Sequence, residues 1–394
     1  MPAVKNWKIY FMKANHSVFL RLSANYTSLY IYLGIMTPFW GMWLRNKGLP
    51  PSEIGIIIAL PYLMKIIIAP LISQAADKHD EYWRPLLLSV LIGTAFTFLY
   101  FAGTSFWSLL LITFAVNLCF PAVTPLLETI TVSQSIKHDL NYGRIRSFGS
   151  VSFIVASIIV GFFLKTYSIE YVLWAVCGSL LFMLTTMIYL PRGNKKVSGD
   201  NFHSTSPLKS LLKNNEFIWF LIIVGLLQMS HGVFYSMGSI YWKENGIDED
   251  MIGLLWGGGV IAEVLLFVFC NNIIKKYPVF FVFAVIGFFG VVRWLIFSMT
   301  VSLPILFITQ MLHGLTFGAS HLAAIQYMAA KITAARAGTA QSLYSALPLG
   351  LGMGLSTYVG GVIYEKESAG AYLAMAFLCL VAFVFSFIFI YRKK

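Results

Sequence analysis

Residues 117–149 read NLCFPAVTPLLETITVSQSIKHDLNYGRIRSFG. An apolar helix ends in a short charged turn, and a second apolar helix begins. The first carries a single acid, Glu128; the second opens with Arg144 and Arg146. Folding the two antiparallel about His138 and Asp139 puts Glu128 about ten residues before the turn and Arg146 about seven after it. At about 1.5 Å of rise per residue the two side chains meet at nearly one depth. An acid facing an arginine within a membrane is costly and marks a functional site or a clasp between helices.

Working outward, the rest of the chain supports a membrane setting. Of 394 residues, 58% are hydrophobic and 11% charged, and the mean hydropathy is +0.76; a soluble domain carries about 25% charged residues. The first 20 residues are too polar for a cleaved signal peptide, so the apolar run that follows is expected to stay as a span. Cys119, Cys177, Cys270 and Cys379 all lie in apolar runs without CxxC spacing. That argues against a disulfide framework or zinc site and favours small buried hydrophobes.

Apolar windows fall near 17–44, 54–76, 85–103, 106–134, 146–164, 169–190, 217–242, 251–274, 278–299, 303–329, 338–363 and 370–391. The expectation is an all-α polytopic protein with twelve spans in two six-helix halves, 1–190 and 216–394. A polar linker, 191–215, PRGNKKVSGDNFHSTSPLKSLLKNN, is expected to be flexible and cytoplasmic. With the N-terminus inside, 21 of the 28 Lys and Arg fall in inner segments and 5 in outer ones; Lys65 and Arg293 lie within spans. Both termini are therefore expected in the cytoplasm. The net charge of +12 orients the protein against the lipid bilayer, and no nucleic-acid partner is called for. The halves repeat weakly: Trp43, Gly48 and Ile54-Gly55 after the first span match Trp242, Gly246 and Ile252-Gly253 after the seventh, as a duplication produces.

Five charges sit in or beside apolar sequence: Lys65, Glu128, Arg146, Glu263 and Arg293. They are expected to face a cavity or one another. Glu263 and Arg293, on consecutive helices, come level within about a turn and suggest a second acid–base pair. The alternative for both pairs is a purely structural clasp. Helical spacing puts Gln310, His313, Phe317, Ser320 and His321 on one face, and Gln228, His231, Tyr235 and Trp242 on another. Asn25, Tyr32, Phe39, Trp40 and Trp43 form a third stripe. Such stripes suit a solute that is part polar and part apolar; for each lone histidine the alternative is a buried residue bonded to a neighbouring helix. There is no Walker motif, no GxSxG and no HExxH, so neither ATP-driven pumping nor an enzyme is expected.

The stretches TPFWGMWLRNKG (37–48), LNYGRIRSFGSVSF (140–153), LLQMSHGVFYSMGSIYW (226–242), GVIAEVLLF (259–267), GVVRW (290–294) and MLHGLTFGASHLAAIQYMA (311–329) carry a resemblance. With them the whole chain resembles the major facilitator superfamily, and within it the 3-phenylpropionate permease branch, a relative of lactose permease. The resemblance implies a secondary transporter of the bacterial inner membrane, a functional monomer, with its site between two halves. It implies a gating loop at Asp77, Lys78 and Arg84, although both glycines of that loop's usual pattern are missing here. Glu128 and Arg146 match the helix-four glutamate and helix-five arginine that meet the sugar in lactose permease; Arg293 and His313 match its helix-nine arginine and helix-ten histidine. Its helix-ten glutamate is replaced by Thr316, its helix-seven aspartates by His231 and Phe234, and Glu263 lies about a turn from its helix-eight glutamate.

The expected function is proton-coupled import of a small aromatic carboxylate such as 3-phenylpropionate by alternating access. The proton is the coupling ion, with no other cofactor and no metal. Glu263 is the first candidate proton carrier, with Glu128 and His313 beside it. Arg146, Arg293, Lys65, Glu128, His231, Gln228, Tyr235, Tyr32, Trp40 and His321 are the candidate substrate residues. Rival readings are a proton-coupled sugar or nucleoside importer, an exporter of hydrophobic compounds, and a non-transporting sensor.

Overall fold

The computed structural model describes residues 2–192 and 207–392. The described residues are helical, with no strand. The spanning helices are α1 (Pro2–Asn46), α2 (Pro51–His79), α3 (Trp83–Phe101), α4 (Phe106–Lys137), α5 (Tyr142–Thr166) and α6 (Tyr171–Ile188) in the first half. The second half holds α7 (Asn215–Glu244), α8 (Glu249–Phe269), α9 (Val279–Met299), α10 (Leu303–Lys331), α11 (Arg336–Lys366) and α12 (Ser368–Arg392). All but α1 are long and apolar enough to cross a membrane by composition alone. Tyr, Trp, Asn and Ser dilute α1, and several of them bond inside the bundle: Asn25 Nδ2 donates to the Thr186 carbonyl of α6 (3.1 Å) and Ser28 meets the Thr186 hydroxyl (2.8 Å).

Helix boundaries follow local chemistry. Asn141 caps α5 by accepting from the Arg144 N–H, and Asn214 caps α7 the same way. Gly48 (φ 86°) and Gly246 (φ 83°) take left-handed conformations just after α1 and α7, where a glycine ends a helix without strain. They are the two glycines that the sequence repeat aligns. Most of the linker, 193–206, lies outside the described residues. Pro207–Leu212 of the stretch expected to be flexible is a short helix, docked through buried Leu211.

The halves meet at one end of the bundle, here the closed end, which carries the C-termini of α1, α5, α7 and α11 and the N-termini of α2 and α8. There α5 crosses α8 and α2 crosses α11 at backbone distance. A Cβ on Gly253 would stand 2.3 Å from the Ser157 carbonyl, and one on Gly361 2.5 Å from that of Pro51. Charged contacts between the halves flank both crossings: Arg45–Glu244 at 3.1 Å, Lys165–Asp250 at 2.7 Å, and the Ser52 N–H donating to Glu365 at 3.0 Å. A hydrophobic core including Trp43, Tyr100, Phe234, Trp242 and Trp294 runs through this end, with members from both halves. A second core, around Phe220, Phe283 and Tyr327, belongs to the second half alone. Towards the other end the helices part, and Glu128 and Arg146 are left 41% and 34% exposed.

Candidate functional site

Four helices build the second-half side of the cavity. The α7 helix is interrupted at Ser230–His231, and α10 widens into a π-helical turn over Gly314–Ala319. Such turns displace side chains from the regular helical stripe and recur at functional sites. They bring His231, His313 and Thr316 against Arg293 of α9. Arg293 is fully buried. One terminal nitrogen donates to His313 Nδ1 (3.1 Å) and Thr316 Oγ1 (2.9 Å), the other to Gln310 Oε1 (3.0 Å). Its planar group lies near the rings of Trp294 (4.4 Å), Phe234 (5.1 Å) and Phe297 (5.6 Å).

These contacts fix a protonation pattern. A guanidinium has only donors, so His313 Nδ1 must accept. The imidazole is then the neutral tautomer with its proton on Nε2, assigned here from the hydrogen-bond network. That nitrogen lies 2.9 Å from Glu263 Oε1 and 3.4 Å from the Tyr235 hydroxyl. A chain therefore runs from Arg293 through His313 to Glu263, whose side chain is 19% exposed. In place of the direct Glu263–Arg293 pair expected from helix register, His313, the last residue before the π-turn, bonds to both side chains. His231 Nε2 meets Thr316 Oγ1 (3.2 Å), and Phe317 stacks on His313 (5.4 Å between centroids). Gln228 is buried and reaches Ser320 at 3.4 Å; His321 bonds the Tyr344 hydroxyl at 2.8 Å.

The first-half side is looser. Arg146 Nε stands 3.8 Å from Glu128 Oε1, and the guanidinium lies over Tyr30 (4.6 Å) and Tyr26 (5.5 Å). The hairpin register read from 117–149 thus brings these two side chains together. Lys65 is accessible on α2 and within electrostatic range of Glu128. Tyr32 stacks on Phe120 (5.6 Å). Trp40 instead packs in the core of the closed end, 4.6 Å from Trp43 and 4.8 Å from Tyr100, so its ring serves the interface between helices. Sequence reading passed over Tyr26 and Tyr30, which sit one turn apart beneath Arg146, and Tyr62, one turn before Lys65. Spacings of four and three around a lone cation were the available signal. Of the expected gating loop, Asp77 and Lys78 lie in the last turn of α2 and Arg84 in the first turn of α3; Asp77 accepts from the Tyr82 hydroxyl (2.7 Å). Burial, and then that carboxylate, push the Tyr82 hydroxyl up to about 12, so it remains a donor. Arg84 turns to Glu81 (3.8 Å), and Lys78 stays exposed.

A family model described as the MFS_1 like family matches residues 19–375. The chain belongs to that family of major facilitator transporters. This MFS_1-like chain is similar to a probable 3-phenylpropionic acid transporter of Escherichia coli (strain K12), 30% identical over 368 residues, covering 92% of this chain and 95% of the relative. It is similar to a maltose permease of Geobacillus stearothermophilus at 23% identity, covering 94% and 93%. In structure it resembles the nucleoside transporter NupG, with a TM-score of 0.82 at 16% identity, covering 96% and 99%. The MFS_1-like transporter is thus an integral membrane protein.

Proposed function

We propose that the protein imports a small aromatic carboxylate together with a proton, by alternating access between its two halves. The observation that carries this reading is the charge arrangement of the cavity. Lys65 and Arg146 outnumber Glu128 on one side, while on the other a single carboxylate, Glu263, takes a hydrogen bond from His313. The first arrangement attracts an anion; the second offers a protonatable group. The name of the Escherichia coli relative supports the choice of 3-phenylpropionate as first substrate.

With the basic loops in the cytoplasm, the closed end faces outward and the structure corresponds to a carrier open to the cell interior. Uptake of a monoanion against a negative interior costs about 2.3 kcal/mol per 100 mV, and one co-transported proton cancels that charge. Glu263 is the proposed carrier of the proton. Its oxygen abuts a neutral imidazole whose other nitrogen is held by Arg293, so protonation of the acid breaks one hydrogen bond and leaves the buried cluster intact. The aryl group of the solute finds Tyr235 and Phe317, 5.8 Å apart between centroids, and such rings pack well against another.

Uptake of labelled 3-phenylpropionate into proteoliposomes under an inward proton gradient tests the reading. Expected is accumulation above equilibrium that stops when the gradient is collapsed, with little competition from maltose, lactose or a nucleoside. Strong competition by maltose or a nucleoside, with none by the carboxylate, contradicts it and favours a neutral-solute symporter.

A further inference from the structure

Two features of α2 and α8 belong together. Gly55 of α2 and Gly253 of α8 are equivalent by the repeat that pairs Gly48 with Gly246, and each glycine backs onto the partner half. Gly55 packs on Gly361 of α11, and Gly253 on Gly161 of α5. Ten residues further along α2 stands Lys65; the same ten residues further along α8 stands Glu263. The two halves therefore present a cation and an acid at matching positions, at one depth, on helices that cross their partners in the same way. Both charges act on His321 of α10; Lys65 is exposed and the Glu263 side chain is 19% exposed.

The other cavity cations are committed. Arg293 is fully buried and spends its terminal nitrogens on His313, Thr316 and Gln310. Arg146 has a carboxylate beside it and tyrosine rings against its face. Lys65 alone among the three makes no hydrogen bond or ion pair with the described residues, although Glu128 lies within electrostatic range. An ammonium with three unused donors is tolerable while the cavity holds water. It becomes costly when the cavity closes, unless an anion accompanies it.

We propose that Lys65 is the residue that receives the carboxylate of the transported solute, with Tyr62 one helical turn away bounding its aryl group. Tyr62 and Tyr235, on α2 and α7, lie within electrostatic range of each other. The assignment rests on the anion-import reading above. It gives that reading a physical logic: the solute's negative charge neutralises Lys65 on one half as the proton neutralises Glu263 on the other. Only the doubly neutralised cavity closes at low cost. It also excludes Arg293, the arginine that resemblance to lactose permease points to, as the docking group.

The test is a set of dissociation constants, by calorimetry on the purified full-length carrier, for matched acids and amides: 3-phenylpropionate with 3-phenylpropionamide, and benzoate with benzamide. Wild-type protein is expected to prefer the acid by about tenfold or more, the worth of hydrogen bonds to one charged group. Lys65→Gln should bring acid and amide to near parity while leaving amide binding and the size-exclusion profile unchanged; Lys65→Arg should retain most of the preference. A Lys65→Gln protein that keeps the wild-type preference, or loses acid and amide alike, overturns the assignment. If benzoate shows the Lys65-dependent preference and 3-phenylpropionate does not bind, the proposed substrate falls and Lys65 stands. If wild-type protein prefers neither acid over its amide, both fall.

Discussion

The two sides of the cavity solve the problem of charge inside a membrane in opposite ways. On the first half, Glu128 and Arg146 approach only to 3.8 Å, are 41% and 34% exposed, and face water. On the second half, Arg293 is sealed from solvent; its two terminal nitrogens donate to neutral groups, its Nε has no partner, and no carboxylate pairs with it among the described residues. The first is an exposed pair, which contributes little stability and is free to exchange partners. The second is a buried network joined through the terminal nitrogens of Arg293, with the Nε left without a partner, and its bonded members are expensive to remove. The difference assigns them different work: the loose side suits a solute that must come and go, and the rigid side suits a proton that must be held at a defined atom.

The comparison can be broken most forcefully at Arg293. Arg293→Gln leaves His313 Nδ1 and Gln310 Oε1 without their donor in a buried site, and each orphaned group costs about 1–3 kcal/mol. A destabilisation of about 3 kcal/mol overall is expected, read as a large drop in the melting temperature of the detergent-solubilised carrier. A melting temperature within error of wild type would mean that the network is not a structural unit.

Asp250→Asn probes the closed end that both sides share. Its carboxylate is 4% exposed and bonded to Lys165 across the halves. Removing the charge should shift the population toward carriers open at this end. Spin labels on α5 and α8 at the closed end read the shift as longer distances. Unchanged distances would show that the close backbone crossings hold that end shut by themselves.

The smallest effect is expected on the first half. Glu128→Gln should change stability by less than about 1 kcal/mol, leave proton coupling in place and alter solute affinity only modestly. If instead it abolishes gradient-driven uptake, the division of labour between the two sides is wrong.

How much of this was legible in the sequence depends on how local the information is. The hairpin across 117–149 was, because helix rise and an intervening turn fix the relative depth of Glu128 and Arg146 whatever the remaining helices do. The repeat was legible at Gly48 and Gly246, where a left-handed residue is needed and little else serves. The α1 span was harder, since its polar and aromatic residues are spent on contacts with α5 and α6 and lower its hydropathy. The Glu263–His313–Arg293 chain was half visible. Register brought Glu263 and Arg293 level and His313 stood among the candidates on the polar stripe of α10, but that its ring sits between the two side chains depends on how α8, α9 and α10 pack. Trp40 looked like a cavity aromatic because its spacing put it on a stripe with Tyr32. Which part of a long helix faces the cavity depends on how the halves close, and that is a tertiary property.

We propose that the transported proton rides on the second half, at Glu263. The most direct test records solute uptake and proton movement together in proteoliposomes, for wild-type protein and Glu263→Gln. Wild-type protein is expected to take up protons with the solute and to concentrate it. Glu263→Gln is expected to exchange labelled for unlabelled solute across the membrane without proton uptake and without concentrating it. Concentrative, proton-linked uptake by Glu263→Gln would contradict the claim.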